Sequence, residues 1–398
     1  MAFLLDIPMP TLYKRRVNIT FTFSEIPMNS YLMKTLTLGL FLIACTFSNA
    51  ASFEQGKPKI QSIDVISFQP EGVLLIGDGK TGQVVLIDTK DREPQKWTAS
   101  VSDLKGKIAE RLGVAAKEIE LIHFAVNPVS GKAYLAIRKQ DTKSQHLITV
   151  DGQGKISEFS LDNVAFKSVA LPKGTGGAIS KITDLAWMSD RLLVSGVAAD
   201  EFACKLYSVQ QPLEKQSEVI LTSAETFHVA HGKWETKAPM TVLMPFEENG
   251  KKYLVGAFSC TPLVKYPLEA FTENAKVKGQ SIVELGSGNK PIHMFTYQKD
   301  GKSYVLINTF RFHHQKKPFG PSPYWTARIE TGVISENANI NEKALKRLDS
   351  KGEPGTEKVK LIPEFHGVSH MDKLDAAHAL VISEDDKGGL TLKALTLP

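Results

Sequence analysis

The chain has 398 residues, 42% of them hydrophobic and 23% charged, which excludes a disordered or collagen-like polymer. Its formal net charge is +5, but the first fifty residues carry four of the 48 basic and two of the 43 acidic side chains, leaving a near-neutral body of 44 against 41. A nucleic-acid binder needs a concentrated basic face, so that class of partner is set aside.

The first readable element is an export signal. Met33-Lys34 supplies a start and a positive charge, Thr35 to Ala44 an apolar core, and Ser48-Asn49-Ala50 the small residues that a signal peptidase reads. Residues 1–32 then read as a mis-assigned upstream segment, 33–50 as the signal peptide and 51–398 as a single domain. The apolar run is too short to span a bilayer, so no transmembrane helix is expected in the mature chain. The expected address is periplasmic or extracellular; the alternative is a lipoprotein anchored at Cys45, because Leu42-Ile43-Ala44-Cys45 resembles a lipidation box. Two cysteines then remain, Cys204 and Cys260, where a disulfide can persist. One bond between them or two free thiols are both open. No CxxCH is present, which argues against covalent haem.

Six segments follow, each a short apolar strand, a turn, a very apolar strand, another turn and a third strand. Anchored on Leu74, Tyr134, Leu192, Tyr253, Tyr304 and Ala379, they recur at spacings of 60, 58, 61, 51 and 75 residues. Runs such as Val73-Leu74-Leu75-Ile76 and Tyr304-Val305-Leu306-Ile307 suit strands buried on both faces, as stacked blades require. Outer strands are expected at Ile156 to Leu161, Glu218 to Thr222 and Ser281 to Leu285. The pattern predicts an all-β, six-bladed β-propeller with short helical insertions. The competing architecture is a pair of β-sandwiches, and the competing count is seven, with a degenerate blade around Ser335 to Phe365. Lys59 to Ile66 is expected to seal the ring against the last blade. Helices are expected after Ser102-Asp103, where Leu104, Ile108 and Leu112 form one stripe, and from Asn341 to Leu348.

Aligned innermost strands give a column of polar residues: Asp64, His123, Asp184, Thr241, His293 and His370. Alternation with apolar neighbours points the column at the central channel. There His123, His293 and His370, with Asp184 and Asp64, form a candidate site for copper, iron or zinc. The plain alternative is a water-lined channel, or a one-residue slip that turns the column away. A loop before the fourth blade carries His231 and Glu235, candidates for proton transfer over that channel. Arg138, Asn308, Cys260 and the insertion with Arg311, His313 and His314 are expected on the same face, where cations would favour an anionic ligand. Gly79-Lys80-Thr81 lacks the upstream glycine of a phosphate loop, and GxSxG, HExxH and EF-hand patterns are absent.

The repeat resembles the broad superfamily of secreted bacterial propellers with quinoprotein-like and lactonase-like members. The stretches His231-Gly232-Lys233-Trp234-Glu235-Thr236 and Cys260-Thr261-Pro262-Leu263-Val264-Lys265 look like exported proteins of this kind. That resemblance implies a metal-assisted axial site, although the ligand patterns of those enzymes are not found here. Two readings follow: an exported module binding a small ligand or partner at its top face and channel, or a metal-dependent oxidoreductase or hydrolase.

Overall fold

Val-, Ile- and Leu-rich runs form the strands, because both faces of each must be covered by neighbouring sheets. The computed structural model describes residues 53–174, 177–213, 217–260, 262–312, 321–335, 339–347 and 356–398. They form six antiparallel-based sheets, the blades of a six-bladed β-propeller. The innermost strands are Val65–Phe68 (blade I), Ile119–Val126 (II), Lys181–Met188 (III), Met240–Glu248 (IV), Asn289–Lys299 (V) and Val368–Lys373 (VI). Ile156–Phe159, Val219–His228 and Gln280–Glu284 provide the expected outer strands of blades II, III and IV.

Around the axis the blades do not follow chain order. Blade I lies between II and III, so the ring reads II, I, III, IV, V, VI and back to II. Six apolar layers fill these junctions, one per neighbouring pair, such as Val65, Leu75, Leu185 and Val194 between I and III. Each fully buried Leu or Val contributes roughly 1.5–3 kcal/mol. The chain lays down three strands of blade I and crosses blade II. It then adds Ser100–Val101 as the outer strand of blade VI before building blade II. Val164–Ala170 returns to complete blade I. The ring is thus sealed by Ser100–Val101, not by Lys59 to Ile66.

The region expected to hide a seventh blade instead feeds its neighbours. Leu345–Lys346 pairs with blade IV and Val359–Leu361 completes blade V. The helix Leu104–Leu112 forms as expected, with Leu104 and Ile108 buried and the Asp103 carboxylate accepting from the Gly106 N–H at 3.2 Å. Around the second expected helix there is one 3-10 turn, Asn341–Lys343. Both thiols, Cys204 and Cys260, are free. Among the described residues no helix is long and apolar enough to cross a membrane.

Polar side chains stitch every blade junction to backbone. The Asp64 carboxylate accepts from Gly79 N–H and, across to blade III, from Ile182 N–H at 3.0 Å. Asp184 accepts from Leu243 N–H of blade IV at 2.7 Å, and Asp372 from Val126 N–H of blade II at 2.8 Å. Gln145 both accepts from and donates to Ile63, joining II to I. The Lys265 ammonium reaches the Ile334 carbonyl at 2.8 Å, joining IV to V. Asn308 joins V to VI, donating to the Val368 carbonyl at 3.1 Å.

Candidate functional site

Five of the six inner strands carry a register irregularity at the same level, with Ile122, Thr183, Thr241, Ile292 and Ser369 as the extra residues. A bulge re-aims the side chain that follows it. His123, Asp184, Val242, His293 and His370 take that following position. The blade IV member is therefore Val242, with Thr241 displaced onto the bulge.

These bulges gather the three imidazoles. The His123 and His293 rings lie 4.8 Å apart between centroids, and His293 and His370 lie 5.3 Å apart. Burial pushes His123 down to about 3, helped by the charges of His370 and Lys181, and His370 down to about 4. His293 is driven well below its ordinary value by burial and by the other two rings. All three are neutral at pH 7, which lets them crowd, and each then offers one donor and one acceptor nitrogen. Nδ1 of His123 and Nε2 of His293 are buried and meet no hydrogen-bond partner. Such groups cost about 1–3 kcal/mol when left unpaired.

Above them opens a cavity of about 500 Å³, lined from all six inner strands. His123 and His293 form part of its lining, Asp184 and Asp372 sit in the wall, and Phe68, Trp187 and Phe295 supply aromatic surface. Burial raises Asp184 to about 7 against the pull of two backbone N–H donors, and raises Asp372 to about 6. The cavity occupies the C-terminal halves of the inner strands. Arg311 pairs in register with Asn289, at the N-terminal start of the blade V inner strand, so it belongs to the opposite end of the ring.

The remaining sequence candidates fall elsewhere. Asn308 is fully buried and positions the histidines: its Oδ1 accepts from the His293 N–H at 2.9 Å, and its amide donates toward Val368 and Ser369 carbonyls. Arg138 pairs with Glu120 at 3.1 Å, and Arg311 stacks on Trp325 at 4.1 Å. Neither these two nor Cys260 lines the cavity. His313 and His314 lie outside the described residues. His231 and Glu235 are hydrogen-bonded to each other at 2.9 Å on a hairpin at the edge of blade III. Asp372 and Trp187 went unread in the sequence. Asp372 lies two positions beyond His370, which is a strand-alternation signal, whereas Trp187 looks like any core aromatic.

A shared axial ion needs converging donors. Among the described residues, one group of His, Cys, Asp or Glu brings three ligand atoms within 4.8 Å of one another, and it is His228, His231 and Glu235 rather than the axial set.

Fold and site together define a six-bladed β-propeller with a polar, histidine-floored axial cavity. No family model matches the chain, and no curated protein matches it. Among solved structures it is similar to a crystal structure of a protein from Lactobacillus plantarum, a structural-genomics target. The two share 12% identity over 86% of this chain and 87% of that one, with a TM-score of 0.28.

Proposed function

We propose that the chain is an exported binding propeller whose axial cavity takes a small, uncharged polyhydroxylated molecule of sugar size. The observation that carries this reading is the pair of buried, unpartnered imidazole nitrogens on His123 and His293 beside a cavity of about 500 Å³. That volume lies in the range of small-molecule sites. Neutral imidazoles and the carboxylates of Asp184 and Asp372 give hydroxyl groups both donors and acceptors, while Phe68, Trp187 and Phe295 suit the apolar faces of a ring. An anionic ligand fits this end poorly, because two acids face it against the single cation Lys373. Export rests on the residue 33–50 signal.

Trp187 gives a direct readout. Titration of the protein with a panel of mono- and disaccharides, aromatic acids and zinc chloride should change its fluorescence saturably with at least one saccharide. Trp187→Ala should lose the signal, and a calorimetric titration of His123→Asn should show weaker binding. Binding confined to the acids, or saccharide binding that both variants retain, refutes the cavity reading. Zinc bound at His123 and His293 without any saccharide would instead support the metal-dependent enzyme.

A further inference from the structure

We propose that the hairpin at the edge of blade III binds one divalent transition-metal ion, zinc being the best match, through His228, His231 and Glu235. The site is separate from the axial cavity and does not rest on the saccharide reading.

The hairpin builds the trio from local sequence. Val219–His228 turns through Val229 to Gly232 into Lys233–Glu235, with His228 opposite Lys233 and Thr226 opposite Glu235. Strand alternation then places His228 and Glu235 on one face, as diagonal neighbours, and Phe227 and Trp234 on the other. Phe227 and Trp234 pack edge to face at 5.7 Å, which stiffens the ribbon. Gly232, at φ +64°, closes the turn with its N–H donating to the His228 carbonyl at 2.8 Å. The turn brings His231 back over His228, the two rings stacked 11° from parallel at 5.4 Å.

An ion pair accounts for only part of this. His231 Nδ1 and Glu235 Oε1 are 2.9 Å apart and satisfy each other. His228 is 1% exposed, yet neither of its ring nitrogens has a hydrogen-bond partner, and its Nδ1 stops 3.7 Å from Glu235 Oε2. That is too long for a hydrogen bond. Tetrahedral zinc with bonds of ~2.0–2.2 Å sets its ligand atoms about 3.4 Å apart. The two separations, each to a different oxygen of Glu235, fall on either side of that value, and the three residues bring one ligand atom each within 4.8 Å of the others. Neutral imidazole and ionised carboxylate are the forms that ligate. His231 is 39% exposed and Glu235 22%, which gives an ion access from solvent and leaves a coordination position open to water. Lys233, its ammonium 3.5 Å from Glu235 Oε1, is the competing cation. Cys260 is not part of the group.

The test is zinc chloride titrated into chelator-stripped full-length chain, with affinity read by competition against a chromophoric chelator. Cobalt(II) absorption reports the coordination geometry. One ion per chain is expected. His231→Asn and Glu235→Gln, both at the surface, should each weaken binding by at least the roughly 10–100-fold that supporting residues of a metal site are worth. Lys233→Gln should tighten it, and His370→Gln should leave it unchanged. The inference is overturned if no ion binds, if both hairpin variants retain wild-type affinity, or if His370→Gln abolishes binding. The last outcome moves the metal to the axis while leaving saccharide binding to be judged by its own titration.

Discussion

At the residue scale, the axial cavity sets two buried charge states against each other. Asp184 is raised to about 7 from an unfolded value of 3.8 because burial strips water from its carboxylate. Below pH 3.8 both states carry the proton. Between 3.8 and about 7 the folded protein holds a proton that the unfolded chain has released, so rising pH favours unfolding. His123 and His370 are lowered and act in the opposite sense, losing stability as pH falls below 6.5. Comparing Asp184→Asn with wild type at each pH cancels the histidine contribution common to both. The substituted amide keeps an oxygen for the Leu243 N–H but does not titrate. The variant should therefore gain on wild type as pH rises from 4 to 8, by up to about 4 kcal/mol at ~1.4 kcal/mol per unit. Urea midpoints across that range check it, and a pH-independent difference would show that Asp184 is not titrating in the fold.

At the element scale, the bulged inner strand is the device that makes the site. The polar column is legible because members such as His123, between Ile122 and Phe124, and His293, between Ile292 and Met294, stand among apolar neighbours. The bulges are not, since Ile122, Thr183, Thr241, Ile292 and Ser369 are ordinary strand residues with no glycine to mark the irregularity. That is why strand alignment sets Thr241 where Val242 sits. His228 is hidden for a related reason: at the end of an apolar strand it looks like a residue with partners, and only the folded hairpin leaves both its ring nitrogens without one. Asn308 holds one bulge in place from the neighbouring strand, bonding the His293 N–H on one side and blade VI carbonyls on the other. Asn308→Ala strands these buried groups and should cost about 3 kcal/mol, at ~1–3 kcal/mol for each unsatisfied group. Asn308→Asp keeps the acceptor for His293 but places a charged oxygen against two carbonyls, so it should not rescue. Denaturation midpoints equal for the Asp variant and wild type would remove this role from the amide.

At the scale of the whole molecule, six blades are readable from strand runs alone, whereas their order around the axis is not. Order depends on where residues 89–99 travel, and that segment has no periodicity to betray its course. Its backbone is tied across blade II by bonds from Gln95 N–H to the Ser130 carbonyl and from Thr98 N–H to the Gly152 carbonyl. Asp91 anchors the crossing, accepting from Ser130 Oγ at 2.9 Å, Lys132 Nζ at 2.9 Å and the Tyr134 hydroxyl at 3.1 Å. The strap then delivers Ser100–Val101 to the open edge of blade VI, next to Leu392 and Lys393. An edge strand left unpaired exposes its ladder, so the strap protects blade VI as well as joining it to blade I. Asp91→Ala removes several bonds to a charged acceptor and should lower stability by roughly 2–3 kcal/mol. Its distinctive effect should appear at a distance. Amide exchange along Leu390–Thr396 should accelerate in the variant more than exchange in the inner strand of blade IV, which the strap does not touch. Equal acceleration in both would mean that Asp91 supports only global stability and that ring closure does not run through the strap.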